Sequence, residues 1–198
     1  RRIGPEMYAV RFHGRGGQGA KTASRILGTA AFLSGYQAQD SPIYGAERRG
    51  APVAAFTRFG REPIRERGVI AHPDLVVVAD ASLLEDPAAR VSDGITEQTI
   101  LFINSPLHAE QIRAPSALCG RITTLGVTEI ALQHFGQREA ISALLGAVAA
   151  RLSGLQQEPL RQAIEQELGN LGVAPPIIER NQTVALTCYE SMQVMERE

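Results

Sequence analysis

Apolar residues along this chain fall into runs of two kinds. Residues 75–79 are a continuous apolar run, with the length and density of a strand buried on both faces. Residues 99–103 read as another buried strand, residues 122–125 as a third short one, and residues 7–12 as a short apolar strand. Residues 53–59 alternate loosely and read as a further strand. The turn Gly60-Arg61-Glu62-Pro63 and Ile64 after it predict a return strand, hence a hairpin at a sheet edge. Residues 36–39 are short and half polar, a poor second strand. Other stretches repeat at helical spacing. Over residues 20–33, Ile26, Leu27, Ala30, Ala31 and Leu33 share one face, and Gly35 follows as a C-cap. Residues 82–89 predict a short helix or turn. Residues 128–135, 137–153, 159–168 and 179–195 read as helices, with Ile141, Leu144, Leu145 and Val148 forming a stripe. Thr128 stands at the capping position of the first of these. Gly154 and Gly169-Asn170 punctuate between helices, and Pro175-Pro176 stops the chain before the last one.

Strands that close on Asp80, Asn104 or Gly126 before helical stretches put a rim of loops on one side of a sheet. The expected architecture is α/β: a doubly wound, mostly parallel sheet with a C-terminal helical cap. One domain is expected over residues 1–198, helical from about residue 127 onward.

The densest local signal is His13-Gly14-Arg15-Gly16-Gly17-Gln18-Gly19, between the first strand and the first helix. Glycines let backbone N–H groups crowd together without Cβ clashes. Those groups and the positive end of the helix dipole make a pocket for phosphate. Gly14, Gly16 and Gly19 also fit G-x-G-x-x-G, and Asp40 lies about twenty residues on, near where that fingerprint puts a ribose-binding acid. A free-standing NAD(P)-binding oxidoreductase is therefore one reading. Against it stand Gln18 beside the last glycine and the poor second strand.

A second concentration is the loop over residues 40–52, where Tyr44, Gly45, Glu47, Arg48, Arg49 and Gly50 are gathered. Long loops in compact domains are more often functional than idle, and this one is expected on the ligand side of the sheet.

A net charge of −1 argues against a nucleic-acid footprint. Cys119 and Cys188 stand far apart without a C-x-x-C, which excludes a self-contained iron–sulfur cluster or cysteine-only zinc site and suits reduced core residues. No apolar run reaches membrane-span length and no leader pattern opens the chain, so a cytoplasmic location is expected, with no membrane partner. His13, His72, His108 and His134 are scattered, His13 reading as a packing residue and His134 as a helix-end dipole partner. No catalytic residue and no metal ligand set emerges. The residues suit a chain that holds a phosphorylated ligand while another chain does the chemistry.

The pairing of Gly14-Arg15-Gly16-Gly17-Gln18-Gly19 with Ser41-Pro42-Ile43-Tyr44-Gly45-Ala46-Glu47-Arg48-Arg49-Gly50 resembles the gamma subunit of the 2-oxoacid:ferredoxin or acceptor oxidoreductases, the pyruvate synthase family. Both motifs stand in that family's order, and the strands ending at Asp80 and Asn104 and the final helix with Asn181 are similar too. Residues 169–176 read as a longer connector than the family pattern. The resemblance implies a hetero-oligomer that converts a 2-oxoacid to acyl-coenzyme A by oxidative decarboxylation. It implies partner subunits carrying thiamine diphosphate and iron–sulfur clusters of the 4Fe–4S type, with electrons passed to ferredoxin or another acceptor. Coenzyme A is the implied ligand of this chain. Carried over residue by residue, Gly14, Arg15, Gly16, Gly17, Gln18 and Gly19 form the anion-holding turn. Tyr44, Gly45, Arg48, Arg49 and Gly50 form the loop facing the coenzyme or the catalytic subunits. Arginine forks suit coenzyme A phosphates and a partner's carboxylate equally. A third reading is an assembly module whose phosphate turn is purely structural.

Overall fold

The computed structural model describes residues 7–42, 49–113, 115, 117–136 and 141–192. Its central strand is β1 (Tyr8–Arg15), which extends beyond the predicted apolar run to carry His13, Gly14 and Arg15 within the sheet. Two further strands precede β4 (Leu75–Val78), namely β2 (Gln37–Pro42) and β3 (Pro52–Gly60). β1 pairs antiparallel with β3, from Tyr8 opposite Phe59 to Arg15 opposite Pro52, and parallel with β4, from Val10 opposite Leu75 to His13 opposite Val78. β2 pairs with the outer side of β3, and β5 (Ile100–Asn104) and β6 (Arg121–Leu125) continue the parallel half. The order is β2-β3-β1-β4-β5-β6, with β3 alone running against the rest.

This is the expected α/β sheet, with two local corrections. The hairpin at Ile64 does not form: residues 61–74 contain no strand. β3 already has β1 on one side and β2 on the other, so no edge is left for a return strand. Residues 37–42, weak by composition, are that second neighbour. A half-polar segment suits an edge position, where only one side of the backbone is paired.

Side-chain alternation along β1 divides the two faces. Val10 and Phe12, with Leu75, Val77, Ile100 and Phe102, face the helices α1 (Ala20–Leu33), α2 (Val127–Phe135), α3 (Ser142–Leu152), α4 (Gln157–Asn170) and α5 (Pro175–Ser191). The predicted apolar stripe of α3 widens to a helix buried nearly all round, because α3 lies between α1 and α5. The other face, with Val76, Val78, Leu101 and Ile103, is covered by 3-10 turns at Ala81–Leu84 and Pro87–Ala89 with Val91 and Leu118. Those turns lie within the segment expected to hold a short helix or turn.

The helix boundaries correct three expectations. Pro175 and Pro176 open α5 instead of preceding it, since the first helical position has no intrahelical partner for an N–H and proline lacks one. Gly169-Asn170 completes α4, so the expected long connector is reduced to Leu171–Ala174, with the break at Gly172 (φ +77°). Gly126, not Thr128, occupies the N-cap of α2. The part of the third predicted helix before Ile141 lies outside the described residues. Among the described residues no helix is long and apolar enough to cross a membrane.

Arg11 and His13 point to the second face and are buried there. Arg11 Nε donates to His13 Nε2 at 2.9 Å, and its terminal nitrogens donate to the carbonyls of Ile70 and Val91. Arg58 donates to the carbonyls of Gly68 and Val69. The arginines thus hold the irregular segments 68–70 and 91 onto the sheet. Burial, then the adjacent Arg11 guanidinium, push the His13 imidazolium down to about 3, so His13 stays neutral as an acceptor. This agrees with the packing role expected for it.

Between that depressed value and the ordinary 6.5 of an unfolded chain, unfolding takes up a proton that the folded state refuses. The stability that His13 contributes is complete above pH 6.5 and is lost as the pH falls toward 3. Urea unfolding at pH 7.5 and pH 5.0 is expected to show His13→Gln losing about 2 kcal/mol less than wild type over that interval. Equal losses would remove His13 as the source.

Candidate functional site

The carboxyl ends of β1, β4 and β5 open into one cleft of about 1120 Å³, bounded also by the start of α1, residues 49–50 and the start of α2. Its size exceeds what a lone phosphate needs and reaches the upper end of ordinary cofactor pockets.

The glycine turn forms the cleft's first wall. β1 ends at Arg15, Gly17 and Gly19 take φ of +91° and +81°, and α1 starts at Ala20. Gly19 is the N-cap without a side-chain cap, and the first turn of α1 holds no acidic residue. The first N–H groups of a helix have no intrahelical acceptor, so this end presents donors and positive potential to the cleft. Two glycines leave room for the packing of the turn, for separate reasons. A Cβ at Gly19 would stand 2.8 Å from the Ser142 Cβ, where α3 begins against the turn, besides adopting a left-handed φ. A Cβ at Gly14 would stand tight against the Ala20 Cβ at 3.2 Å, with Ala79 and Gln18 at ordinary contact distance.

Gln18 braces the turn. Its Oε1 accepts from Arg15 N at 2.6 Å, its own N–H donates to Arg15 O at 3.0 Å, and its Nε2 donates to Asp80 Oδ2 at 2.9 Å. Asp80, just after β4, also receives Ser82 N and Ser82 Oγ on Oδ1. Burial alone would raise the Asp80 carboxyl, but the hydrogen bonds from Ser82 and Gln18, with Arg15 nearby, outweigh it and hold the group below the ordinary carboxylate range. Arg15 is committed to the same network. Its guanidinium donates to Ser82 Oγ and to Gly50 O, and lies 3.7 Å from Asp80 and 3.6 Å from Asp86. Gly16 N donates to Ala51 O and Gly50 N to Gly16 O, so the two sequence motifs meet in space.

Asn104 builds the far wall. Its Nδ2 donates to Ala79 O and Thr128 Oγ1, and its Oδ1 accepts from Val127 N and Thr128 N. It therefore caps α2 from across the sheet, the role expected of Thr128.

Of the eleven predicted site residues, Arg15, Gly16, Gly17, Gln18, Gly19, Arg49 and Gly50 line the cleft, and Gly14 supports it from beneath. Tyr44, Gly45 and Arg48 lie outside the described residues. Lys21, Asp80, Asn104 and Thr128 line the cleft without having been assigned to it. The signal for Asp80 and Asn104 was present in the polar residue that closes each buried strand. Among the described residues no group of three or more His, Cys, Asp or Glu side chains could hold a metal ion.

Asp40 corrects the dinucleotide reading. It sits on β2 opposite Thr57 and beside Gly28, with β3 between it and the glycine strand. Two strand spacings, about 9–10 Å, separate β2 from β1, where the fingerprint needs an adjacent strand.

The family model described as pyruvate ferredoxin/flavodoxin oxidoreductase matches residues 9–191. The chain belongs to this family. It is 40% identical over 196 residues to the pyruvate/ketoisovalerate oxidoreductases common subunit gamma of Pyrococcus furiosus, covering 96% of this chain and 100% of that one. It is 36% identical over 194 residues to the pyruvate synthase subunit PorC of Thermotoga maritima, covering 98% and 99%. The crystal structure of pyruvate oxidoreductase subunit PORC from Thermotoga maritima matches with a TM-score of 0.77 at 33% identity, covering 93% of this chain and 96% of that one. Within the pyruvate ferredoxin/flavodoxin oxidoreductase family, this is a gamma-type chain. The free-standing NAD(P) reading is not favoured.

The two left-handed glycines, Gly17 and Gly19, differ in their surroundings. Gly17→Ala carries only the backbone cost of a left-handed residue, about 1–2 kcal/mol, because nothing lies within 4 Å of the added carbon. Gly19→Ala adds the clash with Ser142 and is expected to cost about 2–4 kcal/mol in all. Thermal or urea unfolding of both variants reads the difference, and equal losses would mean that α3 does not limit the turn.

Proposed function

We propose that this chain is the gamma subunit of a thiamine diphosphate- and iron–sulfur-dependent 2-oxoacid oxidoreductase, in which it binds coenzyme A and contacts the other subunits without supplying catalytic groups. The observation that carries the reading is the single cleft in which the glycine turn, Lys21 and Arg49 come together. A phosphorylated, elongated ligand suits both its charge and its size. The end-to-end match to gamma subunits supports the assignment to a multi-subunit enzyme.

The chain's own residues bind and orient. The donors at the start of α1 take a phosphate oxygen, and Lys21 and Arg49 add charge beside it. Coenzyme A held there supplies the thiol that takes the acyl group formed by oxidative decarboxylation. The cleft walls contain amides, hydroxyls and carboxylates, while Cys119 lies against Ile95 O and Cys188 is buried in α5. His13 is neutral and turned to Arg11 on the opposite face. In this reading the redox groups belong to partner subunits, which pass electrons to ferredoxin or another acceptor.

Lys21→Ala with Arg49→Ala, assayed in the assembled enzyme, is expected to raise the KM for coenzyme A about tenfold or more. Co-purification with a thiamine-binding subunit and an iron–sulfur protein is expected to persist. An unchanged KM accompanied by loss of co-purifying subunits would assign these cations to the subunit interface.

A further inference from the structure

Asp80 presents a contradiction in charge. It is a carboxylate lining the same cleft as the phosphate turn, next to the donors that an anionic ligand would use. Coulombic repulsion alone makes such a group unfavourable for binding. Its hydrogen bonds resolve the contradiction. One oxygen takes both the N–H and the hydroxyl of Ser82, at 2.9 and 2.7 Å, and the other takes Gln18 Nε2 at 2.9 Å. Gln18 spends its remaining atom, Oε1, on Arg15 N at 2.6 Å, closing the turn from the side-chain direction as Gln18 N to Arg15 O closes it from the backbone. The Arg15 guanidinium, close to Asp80 and Asp86, reaches across to Gly50 O.

We propose that Asp80, Gln18 and Arg15 are positioning residues for phosphate binding. Asp80 anchors Gln18, Gln18 sets the curvature of residues 15–18, and Arg15 fastens the second loop to that turn at Gly50. None of the three is the group that holds the phosphate. The inference rests on the coenzyme A reading above and divides the site into residues that touch the ligand and residues that hold the turn. Arginine beside a glycine turn would otherwise be taken as a phosphate fork. Here the fork is already engaged with Ser82 and Gly50.

The sign of one substitution decides it. In the assembled enzyme, Asp80→Asn removes a negative charge from the cleft while keeping the side chain's shape. If Asp80 only crowds the ligand, coenzyme A should bind more tightly. If it anchors Gln18, binding should weaken about tenfold, because a charge-assisted hydrogen bond is replaced by a neutral one and Ser82 and Gln18 compete for the single remaining acceptor. Calorimetric titration of the complex with coenzyme A reads this directly, and the KM for coenzyme A reads it independently. Gln18→Ala should weaken binding similarly, and the double variant should be no worse than either single one, because both break one link. Tighter binding in Asp80→Asn, unchanged binding there while Lys21→Ala weakens it, or full additivity in the double variant overturns the proposal.

Amide hydrogen exchange over residues 16–22 of the complex provides a readout without coenzyme A. Faster exchange there in both Asp80→Asn and Gln18→Ala is expected, and unchanged exchange counts against the brace even if affinity falls. Lys21→Ala, run alongside, separates the two failures. If Lys21→Ala weakens coenzyme A binding while Asp80→Asn does not, the positioning role is wrong and the ligand stands. If neither Lys21→Ala nor Asp80→Asn changes coenzyme A affinity while exchange at the turn quickens in the brace variants, the brace stands and the coenzyme A reading of this cleft is wrong.

Discussion

Everything functional in this molecule hangs from the pairing of one strand on both of its sides. β1 is paired along its full length with β3 and over its middle, Val10 to His13, with β4. A strand held in this way delivers its carboxyl end to a fixed point, and the glycine turn begins there. β4 and β5 end on the same side, so Asp80 and Asn104 arrive at the cleft with no loop having to reach for it. The antiparallel course of β3 has a further consequence. Its first residues, Pro52 and Val53, start opposite Arg15 and Gly14, which brings the second motif back against the first. The contacts from Gly16 to Ala51 and from Gly50 to Gly16 follow from that register.

The site built on this scaffold has little charge left over for its own internal use. Arg15, Asp80, Asp86, Ser82 and Gln18 satisfy one another, so the wall of the turn is stiff. The donors at the start of α1 have no side-chain cap. A wall whose side chains already hold one another has little to rearrange when a ligand enters the cleft, which keeps the entropic cost of binding small. The second face of the sheet follows the same economy: Arg11 and Arg58 satisfy backbone carbonyls of irregular segments, and His13 remains neutral to accept from Arg11.

Residue patterns that depend on near neighbours were legible in the sequence. The strand–glycine turn–helix unit was, because a continuous apolar run, a cluster of glycines and a helical stripe are each local signals, and α1 spans the predicted residues 20–33. The doubly buried strands β4 and β5 were equally legible from their composition. The two motifs that carry the family resemblance are short, ordered in sequence and specific, so membership of the pyruvate ferredoxin/flavodoxin oxidoreductase family was within reach before any fold was known.

What only the tertiary structure decided concerns partners distant in sequence. Whether residues 53–59 pair with Ile64 or with residues 37–42 depends on which edge is free, and in the sheet β1 and β2 occupy both sides of β3. Asp40 looked like a ribose acid by its spacing, yet the insertion of β3 removes it from the cleft. Thr128 had the composition of a cap, but Asn104 reaches α2 from the end of β5 and takes its first N–H groups. Arg15 has the chemistry of a phosphate fork, and the fold gives it Ser82 Oγ and Gly50 O as partners, 67 and 35 residues away in sequence. In each case the residue type is a local property and the partner is not. Backbone preference and hydrophobic period are properties of a few consecutive residues, whereas the destination of a hydrogen bond is fixed by the order of strands in the sheet.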